Sequence, residues 1–370
     1  MDSIGIGLIG TGFMGKCHAL AYGAVKAVFG DVPKPRLELL CDTPADRAEA
    51  FGQQFGFARF TDDWRALIAD PKVDIVCITT PNKLHAEMAI AALEAGKHVH
   101  CEKPMALTLE DAQAMAVAAS KAPGSTIVGY NYIRSPAFAH ARKLIHEGAI
   151  GRVIHFRGFV DEDYQADPEL PWTWRATKAE AGLGALGDLG CHMISMATEL
   201  IGPVASVIGD IRTVHETRPA LENGRKMPVE NEDIASAILF FENGVQGLFS
   251  TSRSAWGRKN SMPIEVHGTA GMIRFDQERM NELQLYQNTG EAGEQGFKTI
   301  LAGPAHPPYG LFTPAPGHQI GFNDQKTIEA ATFLHAIQAG KPAHPSFVDA
   351  LEIEKVIHAI ARSNGHKVEV

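Results

Sequence analysis

The sequence predicts a two-domain α/β protein, with a doubly wound parallel sheet first and an antiparallel α+β domain after it. Three observations lead to this fold class. Short apolar strands alternate with helical segments up to about residue 126, a GxGxxG motif follows the first strand, and strands joined by tight turns fill the second half. We expect the first domain to span residues 1–127 and the second to span residues 128–370.

Alternating apolar and helical segments define the elements of the first domain. Strands are predicted at residues 4–9, 37–41, 74–79 and 98–101, with helices beginning near residues 13, 44, 61, 82 and 108. A further strand, Thr126–Tyr130, comes at the end of this domain. The rhythm is typical of a parallel sheet, because each crossover helix returns the chain so that the next strand runs in the same direction.

The second domain differs because its strands follow one another directly. Strands are predicted at residues 152–160, 204–211, 233–241, 244–253, 264–268, 271–276 and 283–287. Asn243 and Gly244 between two of them are typical of a tight hairpin turn. Helices at 324–339 and 346–363 close the chain, and the stretch from Ser346 to Asp349 resembles a capping box.

The composition excludes several classes of partner. The 370 residues include 34 Lys and Arg against 43 Asp and Glu, and the net charge of −9 argues against a nucleic-acid partner. The five cysteines are odd in number and scattered, which is typical of reduced thiols. Neither a signal peptide nor a membrane-spanning run is evident, so we expect a cytoplasmic protein with no membrane partner.

The first strand runs into a glycine motif that predicts a dinucleotide site. The motif consists of Gly10, Thr11, Gly12, Phe13, Met14 and Gly15. The glycines permit a tight turn and close approach of backbone N–H groups to a pyrophosphate at the helix N-terminus, as in a Rossmann domain. Asp42 closes the next strand, where a carboxylate binds ribose hydroxyls and repels a 2′-phosphate. No arginine follows it directly and Arg47 lies a turn further along, so NAD is the expected cofactor.

Lys103 follows the predicted strand 98–101 directly, within Glu102-Lys103-Pro104. Ligands of open parallel sheets bind beyond the carboxyl ends of the strands, and proline stiffens the chain there. A functional lysine is one interpretation. A charged surface loop is the other.

Asp188 and His192 form the third candidate group. Their spacing of four places them on one face of a helix, where a carboxylate and an imidazole can transfer protons. Asp188 as a helix N-cap and His192 as a core residue are the structural alternatives. A zinc site with Cys191, or with His98, His100 and Cys101, is disfavoured, because zinc needs three or four ligands together and Cys101 lies on the opposite strand face. We predict no metal.

Four motifs together resemble the Gfo/Idh/MocA family of oxidoreductases over essentially the whole chain. They are GTGFMG at 10–15, TPN with His85 at 80–85, EKP at 102–104, and Asp188 with His192 in GDLGCH. The resemblance implies a Rossmann domain, a C-terminal domain with a large, mostly antiparallel open sheet, and assembly into a dimer or tetramer. It also implies nicotinamide-dependent oxidation of a secondary hydroxyl of a sugar or cyclitol.

The resemblance assigns roles to particular residues. Lys103, Asp188 and His192 take the catalytic positions. Because a histidine accepts a proton near neutral pH, His192 is the expected general base and Lys103 the group that stabilises the developing alkoxide. The sequence leaves open which of the two side chains takes the proton first. The cofactor-binding residues are expected to be Gly10, Gly12, Phe13, Met14, Gly15, Asp42, Thr80, Pro81, Asn82, His85, Glu102 and Lys103. The substrate-binding residues are expected to be Lys103, Tyr130, Asp161, Trp174, Arg175, Asp188, His192 and His318.

The stretches 161–164, 171–175 and 317–318 further resemble scyllo-inositol dehydrogenases that also oxidise L-glucose. The expected substrate is therefore scyllo-inositol, with L-glucose as a second. Levoglucosan dehydrogenases share the layout and are the alternative. The tryptophans are either substrate walls or core residues. Rival functions are a non-catalytic NAD-binding regulator, which would be expected to lack the lysine or histidine, and a glycosidase that uses NAD only transiently.

Overall fold

The computed structural model describes residues 2–370, and these divide into two compact units. Unit 1 comprises residues 2–131 and 320–351, and unit 2 comprises residues 132–319 and 352–370. The predicted division at 127/128 lies four residues before the division at 131/132 in the structure. It did not include the return of residues 320–351 to the first unit.

The sheet of unit 1 is wholly parallel. Its strands are β1 (Ser3–Ile9), β2 (Lys34–Cys41), β3 (Arg59–Thr61), β4 (Ile75–Ile78), β5 (His98–Cys101) and β6 (Thr126–Val128), and its helices are α1 (Phe13–Val28), α2 (Ala45–Phe55), α3 (Trp64–Ala69), α4 (His85–Glu94) and α5 (Leu109–Lys121). The strand order is β3-β2-β1-β4-β5-β6. This order confirms the predicted doubly wound Rossmann sheet.

Unit 2 is built on a nine-stranded sheet. Its elements up to residue 319 are α6 (Pro136–His146), β7 (Val153–Asp161), α7 (Lys178–Ala181), α8 (Cys191–Ile201), β8 (Val204–Arg212), β9 (Thr217–Pro219), β10 (Lys226–Pro228), β11 (Ile234–Phe241), β12 (Gln246–Ser252), β13 (Pro263–Gly268), β14 (Gly271–Asp276), β15 (Glu282–Gln287), β16 (Lys298–Leu301) and α9 (Tyr309–Phe312). The chain continues with α10 (Phe322–Gln338), α11 (Phe347–Ser363) and β17 (Lys367–Glu369).

The strand order of this sheet is β16-β15-β14-β13-β7-β12-β11-β8-β17. Every neighbouring pair is antiparallel except β7 and β12, which run parallel. The predicted mostly antiparallel sheet is therefore confirmed. The strands that the sequence did not predict, β3, β9, β10, β16 and β17, have three or four residues, too few for an alternating pattern to be recognised.

Two local signals are confirmed. The hairpin between β11 and β12 is formed, and Gly244 in its turn has a φ of +84°, a left-handed conformation that glycine adopts without a steric penalty. Ser346 and Asp349 form a reciprocal capping box, in which the Ser346 N–H donates to Asp349 Oδ2 at 2.7 Å and the Asp349 N–H donates to Ser346 Oγ at 3.3 Å. Among residues 2–370, no helix is both long and apolar enough to cross a bilayer.

Helix α10 explains why residues 320–351 belong to unit 1. It packs against α1, and Phe322 stacks on Phe13 with ring centroids 5.6 Å apart. Its Lys326 and Glu329 are 1% and 0% exposed, although both residue types normally lie on a solvated face. A division made along the sequence misses this return, because the partners of these charges lie more than 200 residues earlier.

One face of the nine-stranded sheet forms the core of unit 2. Buried and exposed residues alternate along β7, so that Phe156 and Val160 point inward while Arg157 is exposed. Helix α8 packs on β7. The sheet therefore fixes the helix that carries His192.

We expect Phe156→Ala to lower the free energy of unfolding by about 3–5 kcal/mol, because the fully buried ring leaves a cavity beside Phe241, whose ring centroid is 6.2 Å away. Urea denaturation measures the change. Leu221→Ala, at a residue 81% exposed, is the control and should change stability by less than about 0.5 kcal/mol. Equal effects of the two substitutions would contradict the assignment of this core.

Candidate active site

The expected cofactor residues of unit 1 follow the carboxyl ends of its strands. The glycine motif follows β1, Asp42 follows β2, Thr80-Pro81-Asn82 follows β4, and Glu102 with Lys103 follows β5. Because these strands are parallel, the residues lie along one edge of the sheet. This edge is where open parallel sheets bind their ligands.

The glycine turn suits a pyrophosphate. Gly10 has a φ of +98°, and a Cβ there would lie 2.8 Å from the Thr79 carbonyl oxygen. A Cβ on Gly15 would overlap the Gly10 carbonyl, whereas one on Gly12 would meet no atom within 4 Å, which leaves room for a ligand to approach. Helix α1 begins without a side-chain cap and has no acidic residue in its first turn. No side chain of its own first turn therefore opposes the partial positive charge of the helix, which favours binding of an anion.

Asp42 lies at the end of β2 as expected, but its surroundings include an arginine. The Thr11 N–H donates to Asp42 Oδ2 at 2.8 Å, and the Thr11 hydroxyl donates to the same oxygen. Arg47 Nε lies 3.1 Å from Asp42 Oδ2 and 2.9 Å from Thr11 Oγ1. Arg47 is thus in contact with the carboxylate, although the sequence placed it only a turn further along.

His85 connects two of the strand-end loops. Its Nε2 lies 3.0 Å from the Thr80 carbonyl oxygen, and its Nδ1 lies 3.0 Å from the Pro104 carbonyl oxygen. Burial lowers the pKa of His85. The ring, 1% exposed, holds the loop after β4 against the loop after β5 and thereby helps to place Lys103.

Glu102 points into the interior of unit 1. Its Oε1 accepts from Lys326 Nζ at 2.5 Å and lies 2.8 Å from His18 Nε2, while its Oε2 accepts from the Lys103 N–H at 3.3 Å. Glu102 was predicted to bind the cofactor, and its contact with Lys326 was not predicted. A lysine in a helix gives no local signal that it is buried.

In unit 2, Asp188 lies in a π-helical turn, Leu186–Gly190, directly before α8. Its N–H donates to the Gly184 carbonyl at 2.9 Å, so Asp188 lies within the turn and is not the N-cap considered as an alternative. The turn is held by the buried Glu232, whose Oε1 accepts from the Leu186 N–H at 2.9 Å. Single π-helical turns inside helices occur frequently at functional sites.

Two tyrosines accompany the predicted pair. The Tyr164 hydroxyl donates to Asp188 Oδ2 at 2.9 Å, and burial, followed by the Asp188 carboxylate, raises the pKa of Tyr164 well above its ordinary value. Tyr164 is therefore a neutral donor that fixes the carboxylate. His192 is 4% exposed, and the Tyr132 ring centroid lies 4.5 Å from its own. No role was predicted for Tyr132 or Tyr164, since neither has a regular spacing to GDLGCH.

The remaining expected substrate residues occupy separate places. Asp161 ends β7, where burial raises its pKa, and Arg175 lies over the Trp174 ring at 4.4 Å. His318 is exposed on the segment after α9, and Tyr130 is 1% exposed in unit 1.

Trp172 has a structural contact. Its indole N–H donates to the Pro228 carbonyl at 2.9 Å, which anchors the segment before Trp174 to the β9–β10 hairpin. Trp172 is held by this hairpin and Trp174 carries the Arg175 guanidinium, and both side chains are partly exposed. Neither is therefore a core residue, and their role as substrate walls stays a prediction.

Comparisons with known proteins agree with this organisation. Residues 4–130 match the family model described as an oxidoreductase family with an NAD-binding Rossmann fold, and residues 138–274 match the GFO/IDH/MocA C-terminal domain. Levoglucosan dehydrogenase of Pseudarthrobacter phenanthrenivorans is 41% identical, covering 98% of this chain and 96% of that protein. The scyllo-inositol 2-dehydrogenase (NAD(+)) of Bacillus subtilis is 27% identical, covering 93% and 89%.

A solved structure of levoglucosan dehydrogenase in complex with NADH and levoglucosan superposes with a TM-score of 0.96 at 42% identity, covering 100% of this chain and 99% of that one. The family models and the 41% identity over nearly the full length lead to one assignment. The chain belongs to the Gfo/Idh/MocA family and is an NAD-binding oxidoreductase.

Proposed function

We propose that this protein oxidises a secondary hydroxyl of levoglucosan or a closely related sugar, with NAD as acceptor. The observation that carries the proposal is the 41% identity to levoglucosan dehydrogenase over 98% of the chain. From the sequence alone, scyllo-inositol was the expected substrate and levoglucosan the alternative. The lower identity of 27% to the scyllo-inositol enzyme reverses that order and keeps scyllo-inositol and L-glucose as the second candidates.

We propose that Lys103, Asp188 and His192 carry the chemistry on one substrate. Bound NAD⁺ supplies the acceptor for the hydride that leaves the carbinol carbon. His192 accepts the hydroxyl proton, and Lys103 donates a hydrogen bond to the same oxygen while negative charge develops on it. Asp188, held by Tyr164, accepts a hydrogen bond from a neighbouring hydroxyl and so orients the ring. The presence of all three residues favours an enzyme over a non-catalytic regulator.

The charges of the proposed site support an uncharged substrate. Lys103 and Arg175 are its only cationic members, against Asp161 and Asp188. A phosphorylated or carboxylated sugar would require more basic side chains. Carboxylates and imidazoles suit ring hydroxyls, which both donate and accept hydrogen bonds.

We also propose that Asp42 makes the enzyme specific for NAD. A carboxylate at this position accepts hydrogen bonds from ribose hydroxyls and repels a 2′-phosphate. Asp42 additionally binds Arg47, the nearby group suited to a phosphate. One carboxylate thus excludes NADP in two ways.

We propose a homo-oligomer, dimer or tetramer, formed through the sheet of unit 2. The face opposite its core bears a depression of about 690 Å³, lined by mixed apolar and charged side chains that include Phe159, Leu248 and Arg274. Such a face is suited to a second copy of the chain.

NADH formation across a panel of levoglucosan, scyllo-inositol, L-glucose and D-glucose tests the substrate. We expect the highest kcat/KM with levoglucosan. A higher kcat/KM with scyllo-inositol would make scyllo-inositol the preferred substrate, as expected from the sequence, and would leave the reaction class unchanged. Absence of NADH with every polyol would contradict the dehydrogenase, and a hydrolysed glycoside without net NADH would indicate a transiently oxidising glycosidase.

Lys103→Ala and His192→Ala should each lower kcat about 100-fold or more, because each removes a group that acts on the transferred proton or the developing charge. Steady-state kinetics and NADH titration separate catalysis from binding, and the affinity for NADH should be largely retained. Lys143→Ala and His146→Ala, both at exposed positions of α6, are the matched controls. Retention of kcat in either test variant would refute the assigned role.

Asp42→Ala should lower the ratio of kcat/KM for NAD over NADP by about tenfold or more, because it removes the repulsion and releases Arg47. Adding Arg47→Ala to Asp42→Ala should then abolish the increase in kcat/KM with NADP. Glu49→Ala, exposed on α2, is the control. A parent enzyme that uses NADP as well as NAD would show that Asp42 does not select the cofactor.

A further inference from the structure

The interior of unit 1 contains a cluster of ionisable side chains that the proposed reaction does not use directly. Its members, each 4% exposed or less, are His18, Tyr22, Cys77, His100, Glu102, Lys326 and Glu329. They come from α1, β4, β5, the residue after β5, and α10. We call them the buried cluster.

Lys326 lies at the centre of the buried cluster. Its Nζ donates to Glu102 Oε1 at 2.5 Å and to Glu329 Oε1 at 2.7 Å. Around these contacts, His18 Nε2 lies 2.8 Å from Glu102 Oε1, and His100 Nε2 lies 3.0 Å from Glu329 Oε1. One ammonium thus compensates the charge of two carboxylates that are buried away from water.

The same residue types would suit a metal ion. The ligand atoms of His18, Cys77 and His100 lie within 4.8 Å of one another, as do those of His18, Glu102 and Glu329. Lys326 already supplies positive charge between the two carboxylates, however. A cation added beside it would be repelled, so the geometry favours an ion-pair cluster over a metal site.

The buried cluster is connected to Lys103 through Glu102. While Glu102 Oε1 binds Lys326, its Oε2 accepts from the Lys103 N–H at 3.3 Å. The Glu102 N–H in turn donates to the Ile78 carbonyl at 3.0 Å. Gly129 leaves room for the pair, because a Cβ there would lie 2.6 Å from Glu102 Oε1 and 2.9 Å from Lys326 Nζ. The chain therefore accommodates this contact at the end of β6.

We propose that Lys326 is a positioning residue for the reaction, because it holds the Glu102 carboxylate and thereby the backbone that presents Lys103. The inference rests on the proposed catalytic role of Lys103. Lys326 itself, 1% exposed and bound on two sides, acts through Glu102 and does not reach substrate.

The charge states agree with this role. Burial alone would raise the pKa of Glu102, but the Lys326 ammonium and the hydrogen bond with His18 hold it well below its ordinary value. Burial would likewise raise the pKa of Glu329, which Lys326 and His100 bring to about 2. Burial, and next His100, lower the pKa of His18 to about 4, so His18 is neutral near pH 7 and cannot replace the ammonium.

Removing the Lys326 ammonium should therefore change the pKa of Glu102 from lowered to raised. In Lys326→Met, burial would leave the pKa of Glu102 raised, and the carboxyl would bind a proton in the folded state. A group whose folded pKa is raised favours folding when protonated, so the melting temperature of this variant should fall as pH rises through that pKa. For the same reason, the pH profile of kcat/KM should show a new ionisation in this variant, that of Glu102.

The test compares parent, K326M, E102Q/K326M and K326M/E329Q by pH-dependent kinetics, NADH titration and thermal unfolding. We expect K326M to lose about 10- to 100-fold in kcat, as misplaced catalytic groups do, while its affinity for NADH changes little. In the kcat/KM profile, the new ionisation should be present in K326M and K326M/E329Q but absent from E102Q/K326M, because Glu102 is the carboxyl that contacts the Lys103 backbone. Lys341→Met, at an exposed position after α10, is the control.

Two outcomes would overturn the inference: a folded K326M with the kcat and pH profile of the parent, or a new ionisation that persists in E102Q/K326M. If K326M does not fold, the triple variant E102Q/K326M/E329Q replaces it, because neither neutral amide needs a buried counter-ion, and its kcat at the level of the parent would overturn the inference equally. K103A measured in parallel separates the two proposals. An inactive K103A beside an unaffected K326M would reject only the role of Lys326, whereas an inactive parent would reject the proposed function.

Discussion

The contact between Lys326 and Glu102 is the interaction on which the organisation of unit 1 depends. Removing one partner of a buried ion pair costs about 3–5 kcal/mol, because the other charge stays in a medium that cannot solvate it. Glu102 cannot move to water without displacing the end of β5, and Lys326 cannot do so without displacing α10. The pair therefore requires α10 to lie on the first unit, although most of the chain separates the two residues.

Features with a local cause were predictable from the sequence. The parallel strands, the glycine turn and the Asn-Gly hairpin each depend on residues within a few positions of one another. The return of α10 depends on the contact of Lys326 with Glu102, 224 residues earlier in the chain. Nothing in the local sequence distinguishes Lys326 from a lysine on a solvated helix face. The β9–β10 hairpin likewise depends on outside support, because strands of three residues gain little from their own hydrogen bonds.

The same distinction applies to the candidate site. The spacing of Asp188 and His192 indicated a shared helical face, and Asp188 lies in the π-helical turn directly before α8 while His192 lies in the first turn of α8. The carboxylate of Glu232, 46 residues further along, accepts the Leu186 N–H of the π-helical turn, and Tyr164 donates to the Asp188 carboxylate. Spacing thus predicted which residues to consider, whereas the groups that orient them became evident only in three dimensions.

The return of α10 also determines the order in which unit 1 is completed during synthesis. Residues 2–131 leave the ribosome first, and their sheet can form as soon as they emerge, yet the counter-ion of Glu102 has not been made at that stage. Until α10 arrives, the face of α1 that it covers stays exposed and the carboxylate must stay hydrated or protonated. The nascent first unit accordingly lacks both the counter-ion of Glu102 and the helix that covers α1 until residues 320–351 have been translated.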